Sequence, residues 1–339
     1  MIAATWPVAR SGRLLHLDPR AGRFRDTSLA ELPALLRSGD LLVVNDAATL
    51  PASLTAVAPR GARVEVRLLG ETEPGRWRAV LFGEGDWRTR TEERPAPPVL
   101  GPGDTLELDR LRATVVSVWY PSPRLVDLRF EAEGDALWSA LYRLGRPIQY
   151  AHLEAGLALS DVQTVYASRP WAAELPSAGR PLSWELLLDL KRRGIALSAL
   201  THAAGLSSTG DPALDHALPL PERYEIPEPT VTAVMGARAS GGRVVAVGTS
   251  VVRALEGCAV RHGGKLASGR GTTDLVVGPG FVPQVVDGLL TGFHEPGSSH
   301  LGLLRAFVPP SLLDAAYSHA EAEGYRAHEF GDSSLILAA

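Results

Sequence analysis

The chain has 339 residues, 45% of them apolar and 21% charged, with a net charge of −4 at pH 7. That length suits two domains and a core that needs no covalent staples, and the composition excludes a disordered chain. The mild acidity argues against a DNA-coating protein but leaves room for a local basic patch.

The N-terminal MIAATWPVARSGRLL has no long apolar run, so no secretory leader is expected. No apolar run reaches the roughly 18 residues of a membrane span, and a cytoplasmic location follows as the expectation. RLLHLD (13–18) reads as a short strand, and residues 29–37 as an amphipathic helix stopped by Ser38-Gly39. LLVVND (41–46) is a continuous apolar run ending in Asn-Asp, a buried strand that delivers two polar side chains at its end. Between about 60 and 131 the pattern alternates. RVEVRLL, RWRAVLF, TLELD, RATVVSVWY and LVDLRFE, separated by Gly, Pro and Asp, predict a small antiparallel barrel. Within it, TEERPAPPVLGPGD (91–104) predicts a mobile Pro-rich loop with no specific role. DALWSALYRL (135–144) is a helix that Gly145 can end.

After residue 160, strands and helices alternate. WELLLDLKRRG (184–194) is a helix, IALSAL (195–200) a strand, RVVAVG (243–248) a strand, and TSVVRALEGCAV (249–260) a helix. DLVVG (274–278) and VVDGLL (285–290) follow as strands, then helices over 299–307 and 311–324, and a closing strand, SLILA. This order predicts an α/β domain with a largely parallel sheet, built from 1–59 and 146–339, and an inserted β-barrel domain over 60–145. The lone Cys258 has no disulfide partner, no Cys/His cluster has zinc spacing, and Cys258 reads as a small core residue.

Three clusters and two strand ends can carry chemistry. In GRVVAVGTSVVRALE (242–256) an apolar strand ends at Gly248, and Thr249 and Ser250 can cap the next helix. Its free N–H groups suit an anionic or carboxylate-bearing ligand, although plain capping explains the pattern as well. It is neither a Walker loop nor a GxGxxG fingerprint. Arg253 shares a helical face with Thr249 and can reach a carboxylate or phosphate, or simply face solvent. TGFHEPGSSH (291–300) puts His294, Glu295, Ser298, Ser299 and His300 on a Gly/Pro turn, where a histidine can act as base or only pack. SDVQTVYASRPWAAELPSAG (160–179) places Gln163, Thr164, Tyr166, Glu174 and Ser177 among small residues, as a ligand-recognition segment or as an ordered crossover. His202 and the pair Asn45-Asp46 stand at the ends of apolar strands.

Taken in order, these segments resemble the S-adenosylmethionine:tRNA ribosyltransferase-isomerases of queuosine biosynthesis. The resemblance runs through RLLHLD, GDLLVVND, VEVRLL, VQTVYAS, GRVVAVGTSVVRALE, GTTDLVVGPGF, VVDGLLTGFHEPGSS, AYSHAEAEGYR and FGDSSLI, nearly the whole chain. It implies an α/β domain with an inserted β-barrel. It implies S-adenosylmethionine as co-substrate, no metal, no membrane, and a tRNA with a queuosine-type anticodon as partner. The ribosyl portion passes to the aminomethyl group of a 7-deazaguanine and rearranges to an epoxycyclopentane, releasing methionine and adenine. In that scheme the amine attacks the carbon bearing the sulfonium, and a base removes a proton next to sulfur.

These readings together nominate His294, His202 and Asp46 as catalytic residues. For substrate binding they nominate Asn45, Gln163, Thr164, Tyr166, Ser177, Gly179, Gly248, Thr249, Ser250, Arg253, Thr291, Phe293 and Ser298. The chain departs from the family pattern at Ala48 and Ser53, where arginines are usual, at Pro181 for a histidine, and at Gly292 for an asparagine. THAAGLSS (201–208) keeps His202 from the family's LHVGxGTF, and of MHxE only Glu222 remains. The losses motivate two alternatives, a paralogue with a different, non-tRNA acceptor and a non-catalytic RNA or nucleoside binder.

Overall fold

The structure is a computed structural model that describes residues 1–7 and 12–338; of the N-terminal stretch, residues 8–11 lie outside them. Its larger sheet has nine strands in the order Gly269–Thr273, Glu222–Ile226, Ala196–His202, Leu41–Asn45, Val244–Val247, Gly288–Gly292, Ser333–Ile336, Arg13–Asp18, Arg23–Ser28. The central four are mutually parallel. Antiparallel pairs sit toward both edges, and Ser333–Ile336 runs parallel to Arg13–Asp18.

The centre reads as continuous apolar runs because both faces are covered. Leu41, Val43, Val244 and Ala246 point into a core with the helices Glu228–Ala239, Thr249–Arg261 and Pro310–Ala322. Leu42, Val44, Val245 and Val247 point the other way, onto the helix Trp184–Arg192. That helix starts at Ser183, whose side chain accepts from the Leu186 N–H at 3.2 Å. Cys258 is buried in the first core, and its Sγ lies 3.3 Å from the Ala267 carbonyl.

The second unit is a closed six-stranded antiparallel barrel of Ser53–Val57, Arg63–Glu73, Arg76–Phe82, Thr105–Leu108, Leu111–Val118 and Leu125–Phe130. Its first strand lies ahead of residue 60, because Ser53–Val57 pairs with Arg63–Glu73 and closes the barrel against Thr105–Leu108. Gly145 ends the helix Gly134–Leu144, but through close approach: a Cβ there would sit 2.1 Å from the Pro51 carbonyl oxygen.

Several expectations are corrected. Residues 29–37 form only a 3-10 turn, Leu29–Glu31, and one α turn, Leu32–Leu35. DLVVG is not a strand; the strand is the preceding Gly269–Thr273, while Val277 packs in the core and Leu275 offers its carbonyl to Arg253. The Pro-rich loop does have a role. Its Arg94 is buried, pairs with Glu65 beside Arg67, and donates to the carbonyls of Gly83 and Gly85. Two guanidiniums thus share one buried carboxylate, and the Gly83 and Gly85 carbonyls take further Arg94 donors.

Candidate active site

A cavity of about 640 Å³ opens at the carboxyl ends of the four parallel strands, on the side facing the barrel. That is where ligands sit in α/β sheets, and the volume suits a nucleoside-sized molecule. One wall is the start of the helix Thr249–Arg261. Gly248 is its N-cap, with φ +93° and no side chain, so no side-chain group caps the first turn. The expectation that Thr249 and Ser250 cap the helix is therefore corrected. They occupy its first turn and line the cavity. Free N–H groups and the positive end of the helix dipole are left for a ligand.

Arg253, one turn on, lies on the same wall and is 7% exposed. It pairs with Glu222 and donates from Nε to the Leu275 carbonyl at 3.2 Å, while its Nη2 is buried without a partner. Glu222 also accepts from the Gly205 N–H at 2.7 Å. Burial raises the Glu222 pKa, and Arg253 opposes the rise. His202 Nε2 lies 3.2 Å from Glu222 Oε2. The ring is fully buried, and burial, then the Arg253 charge, lower its pKa to about 3.

His294 also lines the cavity. Its Nε2 is 2.9 Å from Thr291 Oγ1, its backbone N–H donates to Tyr317 Oη at 3.2 Å, and its ring stacks 5.2 Å from His300. Burial, then the neighbouring His300 and His328, lower its pKa to about 3. His300 is lowered to about 4 by burial, then by Arg253. All three rings are neutral at pH 7. Across the cavity, Glu174 accepts from the Ser207 N–H at 3.0 Å and from Tyr150 Oη and Ser207 Oγ. Burial raises its pKa too.

Of the sequence candidates, His202, His294, Ser177, Gly248, Thr249, Ser250, Arg253, Thr291, Phe293 and Ser298 line the cavity. Ser298 also caps the short helix Ser299–Leu304, accepting from the Leu301 N–H at 3.2 Å. The others stand behind the wall. Asn45 bridges strands: its Nδ2 donates to the His202 carbonyl at 3.0 Å, and its Oδ1 accepts from the His202 N–H at 2.9 Å. It therefore fixes the backbone of His202.

Asp46 accepts from Thr201 Oγ1 at 2.6 Å and is not among the lining residues. Gln163 holds both backbone groups of Thr49, at 2.9 and 3.0 Å. Thr164, Tyr166 and Gly179 pack together; a Cβ on Gly179 would lie 1.9 Å from Tyr166 Oη. The hydroxyls of Thr164 and Tyr166 are buried without partners, and burial, then Asp46, push the Tyr166 pKa up. Lining residues absent from the sequence nominations include Tyr150, His152, Gly205, His328 and Glu329. They sit in irregular segments with no periodic signal.

Fold and cavity together define an α/β protein with an inserted barrel and a nucleoside-sized site at its strand ends. The sequence profile of the family described as "Queuosine biosynthesis protein" matches residues 2–336, and the chain belongs to that family. It is 39% identical over 331 residues to an S-adenosylmethionine:tRNA ribosyltransferase-isomerase of Thermus thermophilus, covering 94% of this chain and 90% of the relative. A relative of the same name from Gloeobacter violaceus is 39% identical over 330 residues, covering 96% and 89%. The crystal structure of the S-adenosylmethionine tRNA ribosyltransferase of Thermotoga maritima matches with a TM-score of 0.54 and 27% identity, covering 99% of this chain and 96% of that one.

Proposed function

We propose that the chain transfers and isomerises the ribosyl group of S-adenosylmethionine onto a 7-aminomethyl-7-deazaguanine in tRNA, with release of adenine and methionine. One observation carries the reading: the cavity joins an uncapped helix N-terminus and a buried arginine to neutral histidines and raised carboxyls. The helix N-terminus and Arg253 would hold the carboxylate of the co-substrate. Leu157, Val162, Leu206 and Phe330 supply apolar wall for a base.

A histidine with a pKa near 3 is a weak base but a good hydrogen-bonding orienter, whereas a raised carboxyl approaches the range of an effective base. His294 and His202 therefore orient the reacting groups, and Glu222, beside His202, receives the proton taken from next to sulfur. Asp46 and Asn45 position the strand that carries His202. The anticodon would enter from the cavity mouth, and we place the protein in the cytoplasm with its tRNA.

The test is incubation with S-adenosylmethionine, with and without tRNA bearing the aminomethyl-deazaguanine, followed by mass spectrometry. Adenine release with an epoxyqueuosine nucleoside is expected. Binding of S-adenosylmethionine with no tRNA product would sink the tRNA assignment and point to another acceptor.

A further inference from the structure

The cavity wall also holds a cluster to which the proposed ribosyl transfer assigns no role. His152, His328 and Glu329 each offer one ligand atom, and these atoms lie within 4.8 Å of one another. The two imidazoles face each other with centroids 4.4 Å apart and planes 31° apart. His152 Nε2 is buried 3.2 Å from Glu329 Oε2, in contact but poorly aligned for a hydrogen bond. A buried ring nitrogen and a carboxylate this close but poorly aligned can both be satisfied by an ion between them. A fourth group stands close by: Glu295 Oε1 is 3.2 Å from His328 Nε2.

The cluster is also held in place. His328 sits in the left-handed region at φ +70°, uncommon for a residue with a side chain. Its turn is fixed by the Gly331 N–H on the His328 carbonyl at 3.0 Å, and by the Asp332 carboxylate on the Arg326 N–H at 2.8 Å. All three groups and Glu295 line the same cavity.

We propose that His152, His328 and Glu329 bind a divalent transition-metal ion of the Zn(II) class, with a coordination position open to the cavity. Two imidazoles and one carboxylate are a donor set that such ions take, and three protein ligands leave the fourth position for water or a ligand group. Tetrahedral ligands at ordinary zinc distances stand about 3.3 Å apart, so side-chain rotations on the order of an ångström close the cluster on an ion. Glu295 at the mouth balances charge or supplies the fourth ligand. The open position would bind a carboxylate, amine or hydroxyl of the molecule in the cavity. The expectation of a metal-free reaction concerns the ribosyl chemistry, and the site stands independently of it.

The test uses the full chain without an affinity tag, stripped with chelator and titrated with Co(II), with Zn(II) as competitor. We expect one Co(II) per chain, the visible absorption of a four-coordinate ion, and its displacement by Zn(II). His152→Ala and His328→Ala should each weaken binding at least about 100-fold, while His216→Ala, an exposed histidine elsewhere, leaves it unchanged. Glu329→Gln repeats the test with minimal change of shape should an alanine variant fail to fold by circular dichroism. No saturable absorption in the folded wild-type chain would overturn the site. So would equal affinity in His328→Ala or Glu329→Gln.

Discussion

Arg253 and Glu222 form a charged pair on the cavity wall, with little of either side chain exposed. Truncating one partner of a buried pair leaves the other charge uncompensated. Arg253→Ala should therefore lower unfolding free energy by about 3 kcal/mol. Glu222 would take up a proton in response, since burial already raises its pKa. In urea titrations the double variant Arg253→Ala/Glu222→Ala should lose less than the sum of the single losses. Additive losses would mean the pair contributes no coupling. His294 predicts the opposite behaviour. Its ring contacts Thr291 and His300 at the cavity rather than the core. His294→Ala should abolish turnover with unchanged circular dichroism. Retained turnover would remove it from the reacting set.

The strand Val244–Val247, Gly248 and the helix Thr249–Arg261 form the element on which the site depends. Gly248 combines φ +93° with ψ 153°, a region open to glycine almost alone, and an added Cβ would meet the Ala178 Cβ at 3.3 Å. Gly248→Ala should cost about 2 kcal/mol of stability and weaken S-adenosylmethionine binding, because relief of the strain would turn the first helical N–H groups. Calorimetric titration beside urea unfolding checks both, and an unchanged midpoint would show that the backbone relaxes freely. This element was readable because an apolar run, a glycine and an amphipathic helix follow one another. Other elements were not. GRGTT (269–273) carries no apolar pattern and is a strand only because an edge position asks for backbone pairing. DLVVG carries the apolar run, yet only Val277 is buried and Leu275 partly so, while Val276 is exposed. The site was legible where polar residues follow strands directly, as at His202, Thr249 and Thr291. It was illegible at His152, His328 and Glu329, which are brought together from distant irregular segments.

At the scale of the whole molecule, the buried neutral histidines couple folding to pH. The folded pKa of His202 is depressed to about 3 from an unfolded value near 6.5, so below pH 6.5 the unfolded chain binds a proton that the fold excludes. The contribution is complete above pH 6.5 and is lost as pH falls toward 3. For His202 alone the loss amounts to about 2 kcal/mol at pH 5. His294 and His300 act in the same direction. Glu174 and Glu222, raised by burial, act in the opposite direction, since the fold takes their protons before the unfolded chain does. Asp40, fully buried under Arg243, adds a further loss only at more acid pH. Burial alone would raise its pKa, but the hydrogen bonds from Arg243 and Arg37 lower it. Comparison with His202→Asn isolates one ring from this mixture. The asparagine keeps a polar group beside Glu222 and removes the titration. In urea unfolding between pH 4 and about 6 the wild-type slope should be steeper than that of the variant by about 1.4 kcal/mol per pH unit, and the two should run parallel above pH 6.5. Parallel profiles across the lower range as well would mean that the ring is hydrated or already charged in the folded state, and the neutral orienting role assigned to it at the cavity would fall with that result.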